Sequence, residues 1–107
     1  MLYKQLDNDE LEVFIRICRR IRKEQSRRFK MNSLKSNSMR IWIKFNDERE
    51  NLVSSPEDIR KVYSIKYKLI EKDLFELHTT HGVYNTKYIN LTDKGAELVR
   101  ELKNLKR

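Results

Sequence analysis

Two short alternating stretches, LFELHTT at residues 74–80 and TKYINL at 86–91, flank the connection HGVYN, which holds Gly82. Apolar, β-branched and aromatic residues at every second position, interrupted by a short glycine-containing link, predict a β-hairpin. A helical pattern precedes this hairpin and another follows it at once. A helix, a hairpin and a second helix in unbroken succession fix the order of elements over this half of the chain.

The preceding helix has a clear start in SSPED. Ser55 can cap free N–H groups, Pro56 suits the first helical position, and Glu57 and Asp58 suit the positive end of the helix dipole. Ile59, Val62, Ile65, Leu69 and Ile70 then recur on one side, and Arg60, Lys61, Ser64, Tyr67 and Lys68 fall on the other. This helix is predicted over residues 56–72. Thr92 and Asp93 open a last helix, with Leu98, Leu102 and Leu105 at i, i+4 and i+7.

Upstream, Asp9 and Glu12 have capping-box spacing, and Leu11, Phe14, Ile15, Cys18 and Ile21 predict a helix from about residue 9 to 28. MNSLKSNS, residues 31–38, reads as a loop. In MRIWIKF, residues 39–45, Met39, Ile41, Ile43 and Phe45 alternate with Arg40, Trp42 and Lys44, which predicts a strand. Trp42 then points away from the core side, where it can cap an edge, pack on a helix or meet a partner. Residues 46–53 carry a weaker pattern for a short helix, capped by Asn46 or Asp47. With only two glycines and one proline in 107 residues, regular structure should dominate. The expected class is α+β, mostly helical, within one domain spanning 1–107.

The net charge of +8 favours a polyanionic partner. Its distribution says more: residues 16–44 hold eleven basic residues and one acid, Glu24, while the remainder carries a net −2. The excess is therefore local. No apolar run reaches the ~20 residues of a membrane span, and the start, MLYKQLDNDE, lacks a signal-peptide core. The lone Cys18 can form no internal disulfide and reads as a small buried side chain. One cysteine and no leader point to the cytoplasm.

The stretch 69–102 resembles winged-helix regulators of the MarR, PadR and ArsR type. In those proteins the recognition helix ends in a Leu-x-x-Lys-Gly-Leu-like step, a β-hairpin wing follows, and Leu-Thr-x-x-Gly opens the next helix. Here the first step reads Leu69-Ile-Glu-Lys-Asp-Leu74, with Asp73 where glycine is usual, so a less sharply turned helix end is expected. The second signature stands intact as Leu91-Thr92-Asp93-Lys94-Gly95. The likeness covers residues 55–105, about half the chain, and implies a winged helix-turn-helix in the order helix, strand, helix, helix, hairpin wing, helix.

The resemblance implies that the 56–72 helix enters the major groove of double-stranded DNA, with Arg60, Lys61, Ser64, Tyr67 and Lys68 facing it. The wing, residues 74–91, would bring His81, Asn85 and Lys87 to the backbone or minor groove. Arg19, Arg20, Arg22, Lys23, Arg27, Arg28 and Lys30 lie outside the recognition helix and are expected to add backbone contacts. Such regulators are commonly two-fold dimers, and Leu98, Leu102 and Leu105 form the stripe expected to pair with a second copy.

No phosphate-binding loop, dinucleotide fingerprint or nucleophile elbow occurs, and nothing in the sequence supports an enzyme or a cofactor. His78 and His81 lie near each other but lack further ligands for zinc. The leading expectation is a sequence-specific transcriptional regulator. A plasmid or phage partition or replication protein is a second reading. A winged-helix module that binds protein or RNA, using Trp42 and the basic segment, is a third.

Overall fold

The structure is a computed structural model that describes residues 1–31, 41–46, 56–82 and 85–105. After a short 3-10 turn at Leu2–Gln5 come α1 (Asn8–Met31), β1 (Ile43–Lys44), α2 (Pro56–Glu71), β2 (Phe75–Thr79), β3 (Lys87–Leu91) and α3 (Asp93–Leu105). The strands form an antiparallel sheet in the order β1-β3-β2. The expected α+β, mostly helical class is what these elements form. Among the described residues no helix is long and apolar enough to cross a membrane.

Helix α1 starts earlier than the expected Asp9 cap. Glu10 N–H donates to Asp7 Oδ1 at 2.8 Å, and Asp7 N–H donates back to Glu10 Oε1 at 3.1 Å. The capping box is therefore Asp7 with Glu10, two residues upstream. Two acid pairs at the same spacing compete here, and the winner also has a tertiary partner: Lys72 Nζ donates to Glu10 Oε2 at 2.8 Å. Glu12 instead pairs with Arg16 one turn on, at 2.6 Å.

The alternation predicted for the first strand holds over the described part. Ile41, Ile43 and Phe45 are buried, Lys44 is exposed and Trp42 is half-buried. Among the described residues, ladder pairing is confined to Ile43 with Ile89 and Lys44 with Tyr88, fewer than the predicted alternation covers there. Met39, Arg40, most of the predicted 31–38 loop, most of the predicted 46–53 helix and the Ser55 cap lie outside the described residues; Met31 itself belongs to α1.

The core gathers the inner side of every element. Phe14 and Ile17 of α1, Leu69 of α2, Phe75 and Ile89 of the sheet and Leu98 of α3 are all essentially inaccessible, and Phe14 and Phe75 meet at 5.2 Å between ring centroids. In register, Ile43, Ile89 and Leu77 line the inner sheet face, while Lys44, Tyr88 and His78 form a row on the outer face.

The end of α2 is sharper than expected. Leu74 N–H donates to Leu69 O and Asp73 N–H to Ile70 O, each at 3.0 Å. That double closure is the Schellman pattern, with its apolar pair, Leu69 and Leu74, both buried. Asp73 takes the left-handed conformation, φ 61°, that the glycine of the resembled motif would adopt freely. The aspartate accepts the strain without blunting the turn. The tight turn sends the chain directly into β2.

Candidate nucleic-acid interface

Helix α2 presents the side predicted from its spacing. Arg60, Lys61, Ser64, Tyr67 and Lys68 are all exposed, although Tyr67 is only 39% so. The opposite side is buried or half-buried from Ile59 to Ile70. Lys61 also reaches Asp9 of α1 at 2.8 Å, and both side chains remain more than half exposed. A pair that open to water contributes about 0–1 kcal/mol.

The most informative contact joins two elements. Lys87 Nζ, at the start of β3, donates to the Tyr67 hydroxyl at 2.9 Å and lies 5.6 Å from the Tyr67 ring centre. Tyr67 in turn rests against Phe45, with ring centroids 5.1 Å apart. The exposed side of α2 and the β3 end of the hairpin are thus fixed on one surface. His81 and Asn85 are exposed nearer the hairpin tip, and Thr80 N–H closes its neck on Thr86 O at 2.9 Å.

Sequence reasoning missed Lys66. Only 2% exposed, it donates from Nζ to Phe45 O at 2.7 Å and lies 5.2 and 5.5 Å from the ring centres of Phe45 and Tyr63. The signal was present: at 100° per residue Lys66 falls inside the apolar arc, between Val62 and Ile70. A lysine there must bury its stem and find an acceptor for its ammonium. The result anchors the end of β1 to α2 directly behind Tyr67.

The basic residues of α1 divide by environment. Arg19, Arg22 and Lys23 are exposed. Arg20 is half-buried and donates from Nη2 to Lys44 O at 2.9 Å, which sets the basic side of α1 beside β1. Arg27 is held by Glu24, and that hydrogen bond, with the nearby negative charge, raises its pKa above the usual guanidinium value. The side chains of Arg28 and Lys30 lie outside the described residues. Cys18 is half-buried, and desolvation pushes its thiol up to about 12.

The leucine stripe expected to form a dimer surface is split. Leu98 is fully buried in the chain's own core, Leu102 is half-buried against it, and Leu105 alone is well exposed, at 52%. Leu98 is therefore a core residue and not a pairing residue. Among the described residues no group of three or more His, Cys, Asp or Glu side chains could hold a metal ion. No family model, curated protein or solved structure matches this chain.

Proposed function

We propose that the protein binds double-stranded DNA as a winged helix, with α2 in the major groove and the β2–β3 hairpin as the wing. The observation that carries this reading is the Lys87–Tyr67 contact, which puts the polar side of α2 and the hairpin on one surface. The sheet order β1-β3-β2, with α2 leading directly into β2, supports it as well.

On this reading Arg60, Lys61 and Lys68 supply charge and base-edge donors, and Ser64 supplies a neutral hydroxyl for a phosphate or base edge. Tyr67 is held by Lys87 and Phe45, so it meets the groove with little rotamer freedom left to lose. Arg19, Arg22 and Lys23 add phosphate contacts that are indifferent to sequence. Binding should weaken steeply as salt rises, because each neutralised phosphate releases counterions.

Fluorescence anisotropy with duplex DNA at two salt concentrations tests the class, and absence of binding at low salt would sink it. Selected duplexes then test the assignment. Arg60→Ala should cost a selected site about 1–3 kcal/mol more than it costs random duplex, whereas Lys23→Ala should weaken both alike and lower the salt slope by about 1. Equal losses from the two changes would refute α2 as the reading element. Footprinting separates the roles: one palindrome beside a promoter indicates a regulator, and clustered repeats indicate partition or replication.

A further inference from the structure

The outer face of the sheet carries chemistry that duplex binding by α2 does not use. Its central row is Lys44, Tyr88 and His78, one residue from each strand in register. Trp42 precedes β1 on the same side, and its ring lies 5.7 Å from that of His78 on β2. Strand β3 runs between β1 and β2, and adjacent strands are about 4.8 Å apart, so the indole must reach across β3 to make this contact. That placement accounts for Asn90 being buried on the outer face, where its amide donates to Glu76 Oε1 at 3.3 Å. His78 and Lys44 are exposed, and Trp42 and Tyr88 are half-exposed.

We infer that this face is a stacking platform for single-stranded nucleic acid, with bases lying against Trp42, Tyr88 and His78. The phosphates would run toward Lys44 and the basic side of α1. Two observations select this occupant, and two alternatives are disfavoured. Aromatic rings gathered on an open sheet face offer π-surfaces that any unpaired base can use. Arg20, bonded to Lys44 O, brings the cations of α1 to the edge of the same face, so charge for the backbone stands beside surface for the bases. A second copy of the chain is disfavoured, because it would set the same cations against each other. A duplex is disfavoured because its bases are already stacked and turned inward. Glu76 is an acid on this face, and its carboxylate accepts from the Asn90 amide.

The site is distinct from the α2 surface, so the inference does not depend on the duplex reading. Trp42 is the only tryptophan, which makes its emission a local reporter. The full chain is titrated at low salt with a short oligothymidylate, and in parallel with a blunt duplex followed by anisotropy. Saturable quenching of Trp42 by oligothymidylate is expected. His78→Ala and Tyr88→Leu should each weaken it roughly tenfold, since one base–aromatic stack contributes about that much or more. Tyr88→Leu keeps apolar cover over the sheet, and circular dichroism checks that each variant is folded. Arg60→Ala should leave the quenching unchanged whatever it does to duplex binding. Three results overturn the inference: no quenching, quenching in both variants with the affinity of the parent, or an emission change that tracks protein concentration without oligonucleotide. The last would mean that a second copy covers the face.

Discussion

The Thr92 hydroxyl donates a 2.6 Å hydrogen bond to the carbonyl of Asp73, so the residue that starts α3 also closes the turn that ends α2. The same oxygen accepts from Gly95 N–H at 2.9 Å, as a helix N-cap does, and Thr92 N–H donates to Leu74 O at 3.2 Å. One side chain thus links both ends of the β2–β3 hairpin to the helices around it. The Leu-Thr-x-x-Gly spacing has a local reason: threonine caps, and glycine three residues later lets the first turn of α3 approach Leu74.

That approach is close enough to forbid a side chain. A Cβ on Gly95 would stand 2.2 Å from Leu74 O and 2.6 Å from Leu91 Cδ1. Leu74 O is backbone and already accepts from Thr92, so it has little room to move. Gly95→Ala should therefore destabilise the fold by about 1–3 kcal/mol, even though alanine gains about 1 kcal/mol of helix propensity. Urea denaturation followed by circular dichroism measures this. A variant as stable as the parent would mean that α3 shifts freely away from the sheet.

Asp73 is a place where the sequence departs from what its backbone prefers. A non-glycine residue in the left-handed region costs about 1–2 kcal/mol, somewhat less for aspartate. Asp73→Gly should stabilise the protein by up to about 1 kcal/mol, and Asp73→Asn by less. The expected readout is an increase in denaturation midpoint at unchanged slope. A loss of stability in Asp73→Gly would show that the aspartate side chain contributes more than its strain costs.

The elements that were legible in the sequence are those whose signal is local. The hairpin, the Pro56 start, the two sides of α2 and the Thr92 cap each follow from spacing within a few residues. What was missed depends on tertiary partners. Asp7 beat Asp9 as the cap of α1 because Glu10, unlike Glu12, meets Lys72 across the core edge. Leu98 looked like part of an external stripe because spacing alone does not show which part of a helix's apolar side the sheet consumes. Trp42 could be placed outward but not directed, since its contact with His78 depends on strand order. Of the expected interface, the α2 side was visible as a pattern, while its connection to the hairpin through Lys87 and Tyr67 was not.

Glu10 makes stability depend on pH in a predictable sense. Its hydrogen bond from Lys72 holds the carboxyl below the usual 4.5, assisted by the Asp7 backbone N–H and opposed by desolvation. A depressed folded-state pKa contributes stability that is fully present above the unfolded value. That contribution fades as pH falls below about 4.5 and through the lowered folded value. Lys72→Met should lessen the depression, so the variant loses stability at pH 7 and shows a flatter decline on acidification. Denaturation midpoints at several pH values between about 7 and 3 test this. Parallel curves for parent and variant would show that Lys72 is not the cause.

Two lysines, two residues apart on α2, should separate fold from binding. Lys66 buries its stem and donates to Phe45 O at 2.7 Å, whereas Lys68 is exposed. Lys66→Ala removes both a buried stem and a charged hydrogen bond, so it should destabilise by about 2–4 kcal/mol. Lys68→Ala should change stability by no more than about 0.5 kcal/mol while lowering duplex affinity. Both variants are measured by urea denaturation and by anisotropy with a common duplex under conditions where each is folded. Destabilisation by Lys68→Ala would mean that the outer side of α2 is packed. Duplex affinity untouched by Lys68→Ala would remove that residue from the proposed interface.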